Sequence, residues 1–242
     1  MSRIITYEDI VIMSDYIASK MIVKPKIGIV CGTGLGDINS MITNPLIIKF
    51  ENIPKLPRTT GKEKSFKIVD SHAGQFVIGN LACGTPVICQ QGRYHLYEGH
   101  DQSTINKLIT QIVAPIRLMK FLGVEIVILT NAAGGINQSY CCGDIMVIKD
   151  HLYFPGLVGN SPLIGPNDAR FGDRFPSLYN LYDRDLRSKL LDCARELNFD
   201  FVREGIYASV AGPHFETNFE MRFLMKNGCD AVGIGLLYKM KE

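Results

Sequence analysis

Ile27-Gly28-Ile29-Val30-Cys31-Gly32-Thr33-Gly34-Leu35-Gly36 is where an argument about the fold can begin. Its first half is a short apolar run and reads as a buried strand. The strand runs straight into a glycine-rich turn, which offers backbone N–H groups and the Thr33 hydroxyl to a bound anion. The spacing is neither G-x-x-x-x-G-K-[ST] nor G-x-G-x-x-G, so it is no Walker loop and lends a dinucleotide fold little support. A tight turn that merely needs glycine is the competing reading. The pattern recurs. Val124-Glu125-Ile126-Val127-Ile128-Leu129-Thr130 is a second buried strand and ends in Asn131-Ala132-Ala133-Gly134-Gly135. A third strand, over 201–210, ends in Ala211-Gly212-Pro213-His214-Phe215-Glu216.

Helices alternate with these strands. Thr6 ahead of Glu8 and Asp9 starts a helix that should end near residue 20. Strands are expected over 46–50, 75–81, 85–91 and 145–148, and a further one begins at 230. An amphipathic segment spans 103–121, where Pro115 should kink or split the helix. Asp183 opens a helix to about 197. Thr217 and Glu220 have capping-box spacing for a helix over 218–228. A polar loop over 51–74 and a Pro/Gly/Asn/Asp-rich stretch over 153–181 remain as long loops. The order argues for an α/β fold: a central mixed β-sheet flanked by helices, with residues 1–242 as a single domain.

Composition excludes several function classes. With 46% hydrophobic and 21% charged residues the 242-residue chain is globular, and a net charge of +2 gives no argument for nucleic acid or an anionic membrane surface. The seven cysteines show no C-x-x-C spacing and read as reduced thiols of a cytoplasmic protein. No ligand cluster suits a metal, and no apolar run is long enough for a bilayer. Acidic residues come too early for a signal peptide.

Chemistry concentrates in Gly92-Arg93-Tyr94-His95-Leu96-Tyr97-Glu98-Gly99. If it runs extended, Arg93, His95 and Tyr97 share one side. An Arg–His pair suits an oxyanion such as phosphate. Ligands in open α/β sheets sit at the carboxyl ends of strands. If the three glycine-bearing ends converge with this stretch, the pocket has an anion end at Thr33, Arg93, His95 and the Ala132 backbone. Its other end carries a carboxylate, Glu216.

Together, Cys-Gly-Thr-Gly-Leu-Gly at 31–36, the 92–99 stretch, Thr-Asn-Ala-Ala-Gly-Gly at 130–135, Arg-Phe-Gly-Asp-Arg-Phe at 170–175 and Val-Ala-Gly-Pro-His-Phe-Glu-Thr at 210–217 resemble the trimeric purine nucleoside phosphorylases. The resemblance runs from about residue 7 to 234. It implies phosphorolysis of 6-oxopurine ribonucleosides and deoxyribonucleosides to free base and (deoxy)ribose 1-phosphate, by a homotrimer with no cofactor. It also implies roles. Thr33, His72, Arg93, His95 and Ala132 would hold phosphate, with His72 in a loop above it. Tyr97, Phe215 and Ile234 would line the nucleoside pocket, and Glu216 would grip the purine edge. Phe175 would reach into a neighbouring subunit. His95 and Glu216 would be the catalytic pair.

The sequence departs from the family in three places. The loop over 61–71 is longer, and His214 stands where a small or amide residue is usual. Past Ile234 the family's further strands and helix, which carry an Asn for the purine and a His for the ribose, have no match. Their loss is expected to leave the strand at 230–234 as an exposed edge. Two alternatives stand beside the enzyme: a truncated, impaired chain that binds phosphate or joins full-length subunits, and a methylthioadenosine phosphorylase.

Overall fold

The computed structural model describes residues 4–32, 34–56, 73–95, 97 and 105–235. Thr33, His72 and the loop over 61–71 lie outside the described residues.

Helix α1 (Tyr7–Ala18) begins at a reciprocal cap: the Thr6 hydroxyl accepts the Asp9 N–H and the Asp9 carboxylate accepts the Thr6 N–H. Strands β1 (Ile27–Cys31), β2 (Thr43–Lys49), β3 (Gln75–Asn80) and β4 (Pro86–Gln91) follow, then helix α2 (Ile105–Phe121) and strand β5 (Ile126–Leu129). They form a sheet in the order β2-β3-β4-β1-β5. Here β1 is parallel to β4 and β5, whereas β3 is antiparallel to β2 and β4. The second half supplies β6 (Gly134–Gly135), β7 (Ile145–Tyr153), the one-turn α3 (Phe154–Leu157), α4 (Arg184–Glu196), β8 (Val202–Ser209), α5 (Asn218–Lys226) and β9 (Ala231–Gly233). Its strands pair in the order β6-β9-β8-β7. The expected mixed β-sheet flanked by helices is therefore present as two hydrogen-bonded sheets among the described residues.

Periodicity explains the layering. Ile10, Met13 and Ile17 recur at helical spacing on α1, and with Ala114, Leu118 and Met119 of α2 they pack on Val30, Phe76, Ile78 and Ile88. The opposite face of the same strands buries Ile29, Cys31, Val77, Val87 and Cys89 around Ile42. Each fully buried side chain of this size contributes roughly 1.5–3 kcal/mol. In the second sheet Ala208 and Val232 pack under Leu224 of α5.

Four expectations change. Helix α2 is not split at Pro115 but continues past it. A proline costs about 3 kcal/mol inside a helix, and the complete burial of Ala114, Leu118 and Met119 outweighs it. Strand β7 continues to Tyr153 across a register shift between Ile148 and Asp150, because β8 stays alongside to pair with it. The 153–181 stretch holds α3 and a 3₁₀ turn at Ala169–Phe171. Finally, β9 is not an exposed edge: it lies between β8, parallel, and β6, antiparallel, with Ala231 and Val232 buried.

A polar and aromatic pin fixes the loop that carries Phe175. Arg170 bridges Glu8 at 2.8 Å and Asp168 at 2.6 Å, and its guanidinium lies 4.0 Å from the Tyr7 ring centroid. Arg117 of α2 stacks over Phe171 at 4.1 Å. No described helix is long and apolar enough to cross a membrane.

Candidate active site

Three strand ends of the first sheet meet at Thr130. Its hydroxyl accepts the Gly32 N–H at 2.8 Å and donates to the Val30 carbonyl at 2.9 Å, which ties the end of β1 to the end of β5. Its carbonyl accepts Arg93 Nη1 at 3.1 Å, which adds the segment leaving β4. Only glycine fits at position 32: a Cβ there would stand 2.6 Å from both the Thr130 carbonyl oxygen and Asn131 Cα. Both obstacles are backbone, so Gly32→Ala must push the two strand ends apart. The substitution is expected to lower unfolding free energy by about 1–3 kcal/mol, read from the urea midpoint. An unchanged midpoint would show that the ends are not in contact.

No strand runs over residues 92–95. β4 stops at Gln91, and Gly92 takes φ +101°, in the region that favours glycine. Arg93 is half-buried, and its Nε is buried with no hydrogen-bond acceptor among the described residues. Burial pushes the guanidinium pKa down, while Tyr207 and Tyr97 push it back up. A buried guanidinium N–H without an acceptor is costly unless an anion completes it. His95 is buried, and its ring stacks on Tyr97 at 4.9 Å and 14°. Those two side chains therefore share a side, as expected.

The second sheet meets this corner through Tyr207, a residue that the sequence reading passed over. Its hydroxyl accepts Asn131 Nδ2 at 3.1 Å and the Gly235 N–H at 2.9 Å. Asn131 Nδ2 also reaches the Ala132 carbonyl at 3.0 Å, so the loop after β5 is braced against β8. Burial pushes the Tyr207 phenol up to about 12, opposed by the Gly235 N–H, Arg93 and Asn131 and assisted by Glu216. The phenol is thus neutral, with Arg93 and Glu216 acting on it in opposite senses. The sequence offered one signal for it: a tyrosine two residues before the strand end at Ser209, directly before a small-residue loop.

The remaining candidates are distributed as follows. Ala132 is exposed at the mouth. Glu216 is half-buried, one residue before the Thr217 cap of α5, whose hydroxyl accepts the Glu220 N–H. Phe215 is 90% exposed and Phe175 is 89% exposed, so neither is buried among the described residues, although the Arg174 guanidinium lies 5.8 Å from the Phe175 ring centroid. Ile234 lies against Gly212, where a Cβ would come within 2.5 Å of Ile234 Cδ1. It lines a small cleft with Tyr153, Ser209 and Val210. A roomier cleft, of about 320 Å³, lies between α1 and α2 at Met21, Ile22 and Phe121. It lacks converging charged groups, and the chemistry sits at the strand ends instead. His151 is no site residue on this geometry: its Nδ1 pairs with the Tyr182 hydroxyl at 3.1 Å, and burial lowers its pKa.

With that arrangement in view, comparison with known proteins is specific. Residues 26–234 match the phosphorylase superfamily. Purine nucleoside phosphorylase 1 of Bacillus subtilis is 45% identical over 211 residues, covering 87% of this chain and 70% of that protein. A crystal structure of Schistosoma mansoni purine nucleoside phosphorylase in complex with inosine superposes with a TM-score of 0.86 at 37% identity, covering 98% of this chain and 78% of the other. A purine nucleoside phosphorylase in complex with ribose-1-phosphate superposes equally well, at 38% identity and 98% and 82% coverage. Protein relatives from Anopheles gambiae and Mus musculus are longer, the chain spanning 62% and 74% of their lengths.

Proposed function

The chain belongs to the phosphorylase superfamily and, within it, to the purine nucleoside phosphorylases, and from that premise we propose that it splits 6-oxopurine ribonucleosides and deoxyribonucleosides with inorganic phosphate. A phosphate oxygen bonds C1′ as the C1′–N9 bond breaks. N9 keeps the electron pair, and the proton of hydrogen phosphate ends on the base. The products are the free purine and (deoxy)ribose 1-phosphate, and no organic cofactor or metal takes part.

One observation carries the reading: the half-buried Arg93 at the junction of three strand ends, whose buried Nε has no acceptor among the described residues. Bond cleavage builds positive charge on the sugar and negative charge on the purine. A phosphate dianion beneath C1′ both attacks and stabilises that sugar cation, so its holders act by positioning and electrostatics. Arg93, His95, the Thr33 hydroxyl and the Ala132 backbone hold phosphate in this proposal, with His72 above. Tyr97, Phe215 and Ile234 surround the nucleoside. Glu216 accepts hydrogen bonds from the N1 edge of a 6-oxopurine, which disfavours methylthioadenosine. The exposed Phe175 completes the pocket of a neighbouring subunit in a cytoplasmic homotrimer.

The test is base release from inosine, guanosine and methylthioadenosine by purified protein with and without phosphate. Phosphate-dependent hypoxanthine and guanine release at enzymic rates is expected. Phosphate binding without base release would overturn the proposal, and preference for methylthioadenosine would overturn the role given to Glu216.

A further inference from the structure

Gln90 is the penultimate residue of β4 and is 3% exposed. It pairs laterally with Val30 on β1 and Phe76 on β3, inside the apolar layer beneath α1 and α2. An amide is an expensive choice there. Its Nε2 donates to the Gly92 carbonyl at 2.9 Å, while its Oε1 is buried with no donor among the described residues. A half-satisfied buried amide contributes little or nothing net to stability. An apolar residue of similar volume would pack between Val30 and Phe76 without that cost.

What the amide does provide is a fixed direction for one peptide group. The Gly92–Arg93 peptide is planar, so holding the Gly92 carbonyl sets the line along which Arg93 leaves. Gly92 sits at φ +101°, where glycine has wide freedom and the local backbone does little to hold that direction. Arg93 in turn must reach the Thr130 carbonyl and present its free Nε. A displacement of about 1 Å in a positioning group can cost on the order of 100-fold in rate.

We propose that Gln90 is a positioning residue for phosphate: its side-chain amide clamps the Gly92 carbonyl and thereby aims Arg93 at the anion. The inference rests on the phosphorolysis reading above and adds a residue that never touches substrate. It separates two things that usually travel together, the strength of phosphate binding and the stability of the fold.

The experiment compares wild type with Gln90→Met and Gln90→Leu, both of similar volume. Each removes the orphan Oε1 and leaves the Gly92 carbonyl unpaired, so one unsatisfied acceptor is exchanged for another and the thermal midpoint should move little. KM for phosphate is expected to rise about three- to tenfold, the equivalent of one neutral hydrogen bond, with KM for inosine unchanged. The stabilisation of the midpoint by added phosphate should shrink in parallel, and that readout needs no turnover. Unchanged phosphate KM and unchanged phosphate-induced stabilisation in both variants would overturn the inference. So would a fall in the midpoint with both KM values moving together, the signature of a merely structural amide. A wild type that neither turns over nor gains stability from phosphate would instead sink the phosphorolysis reading, and this inference with it.

Discussion

Arg93→Ala is expected to lower kcat/KM for phosphate by about 100- to 1,000-fold, the size of effect seen when one preorganised electrostatic donor is removed from a reacting centre. The reasoning is local. Among the described residues, Arg93 bonds the Thr130 carbonyl through Nη1, and its Nε is buried without an acceptor. Only one of its five N–H donors is spent on those residues, so the loss should fall on binding rather than on folding. Phosphate titrations at saturating inosine would measure it, with a thermal melt to show that the variant is folded. A decrease smaller than tenfold would remove Arg93 from the phosphate site.

The second large effect is expected at the other end. Glu216→Gln should reduce kcat/KM for inosine on the order of 10- to 100-fold, the equivalent of one charge-assisted hydrogen bond, while KM for phosphate stays within about twofold. An amide can accept from N1–H, but it lacks the charge and turns an NH₂ toward an edge that also donates. Glu216 does not cap α5, since that duty falls to the Thr217 hydroxyl and the Glu220 carboxylate. The variant should fold normally. Equal losses for inosine and for a purine nucleoside lacking the 6-oxo group would show that Glu216 does not read the base.

What could be read from the sequence follows how local each cause is. Thr6 and Thr217 announce their helices because a cap involves residues three apart. The glycine-bearing ends after β1, β5 and β8 were legible for the same reason, and with them Arg93, His95 and Glu216 as chemistry-bearing residues. Strand pairing is different. Gly134-Gly135 joins β9 across about 97 residues, and nothing in a glycine pair says that it will. The covered edge of β9 was therefore misjudged. That Pro115 does not split α2 was not legible, because a proline's cost is local and the packing that offsets it is not. Tyr207 was missed for a third reason. A tyrosine in a strand is ordinary, and only the approach of Asn131 and Gly235 from two other loops makes its hydroxyl a junction. The direction in which Arg93 leaves the sheet was also hidden, since it depends on Gly92 leaving the strand and on an amide side chain two residues earlier.

The pin at Arg170 and Phe171 has a consequence for reach. Phe175 is four residues beyond Phe171, so its backbone cannot stray farther than ~14 Å from that anchor. Its aromatic ring is nonetheless almost fully in solvent. Such an arm has surrendered much of its freedom before it meets any surface. Docking it into a neighbouring copy would then cost less entropy than ordering a free loop of the same length.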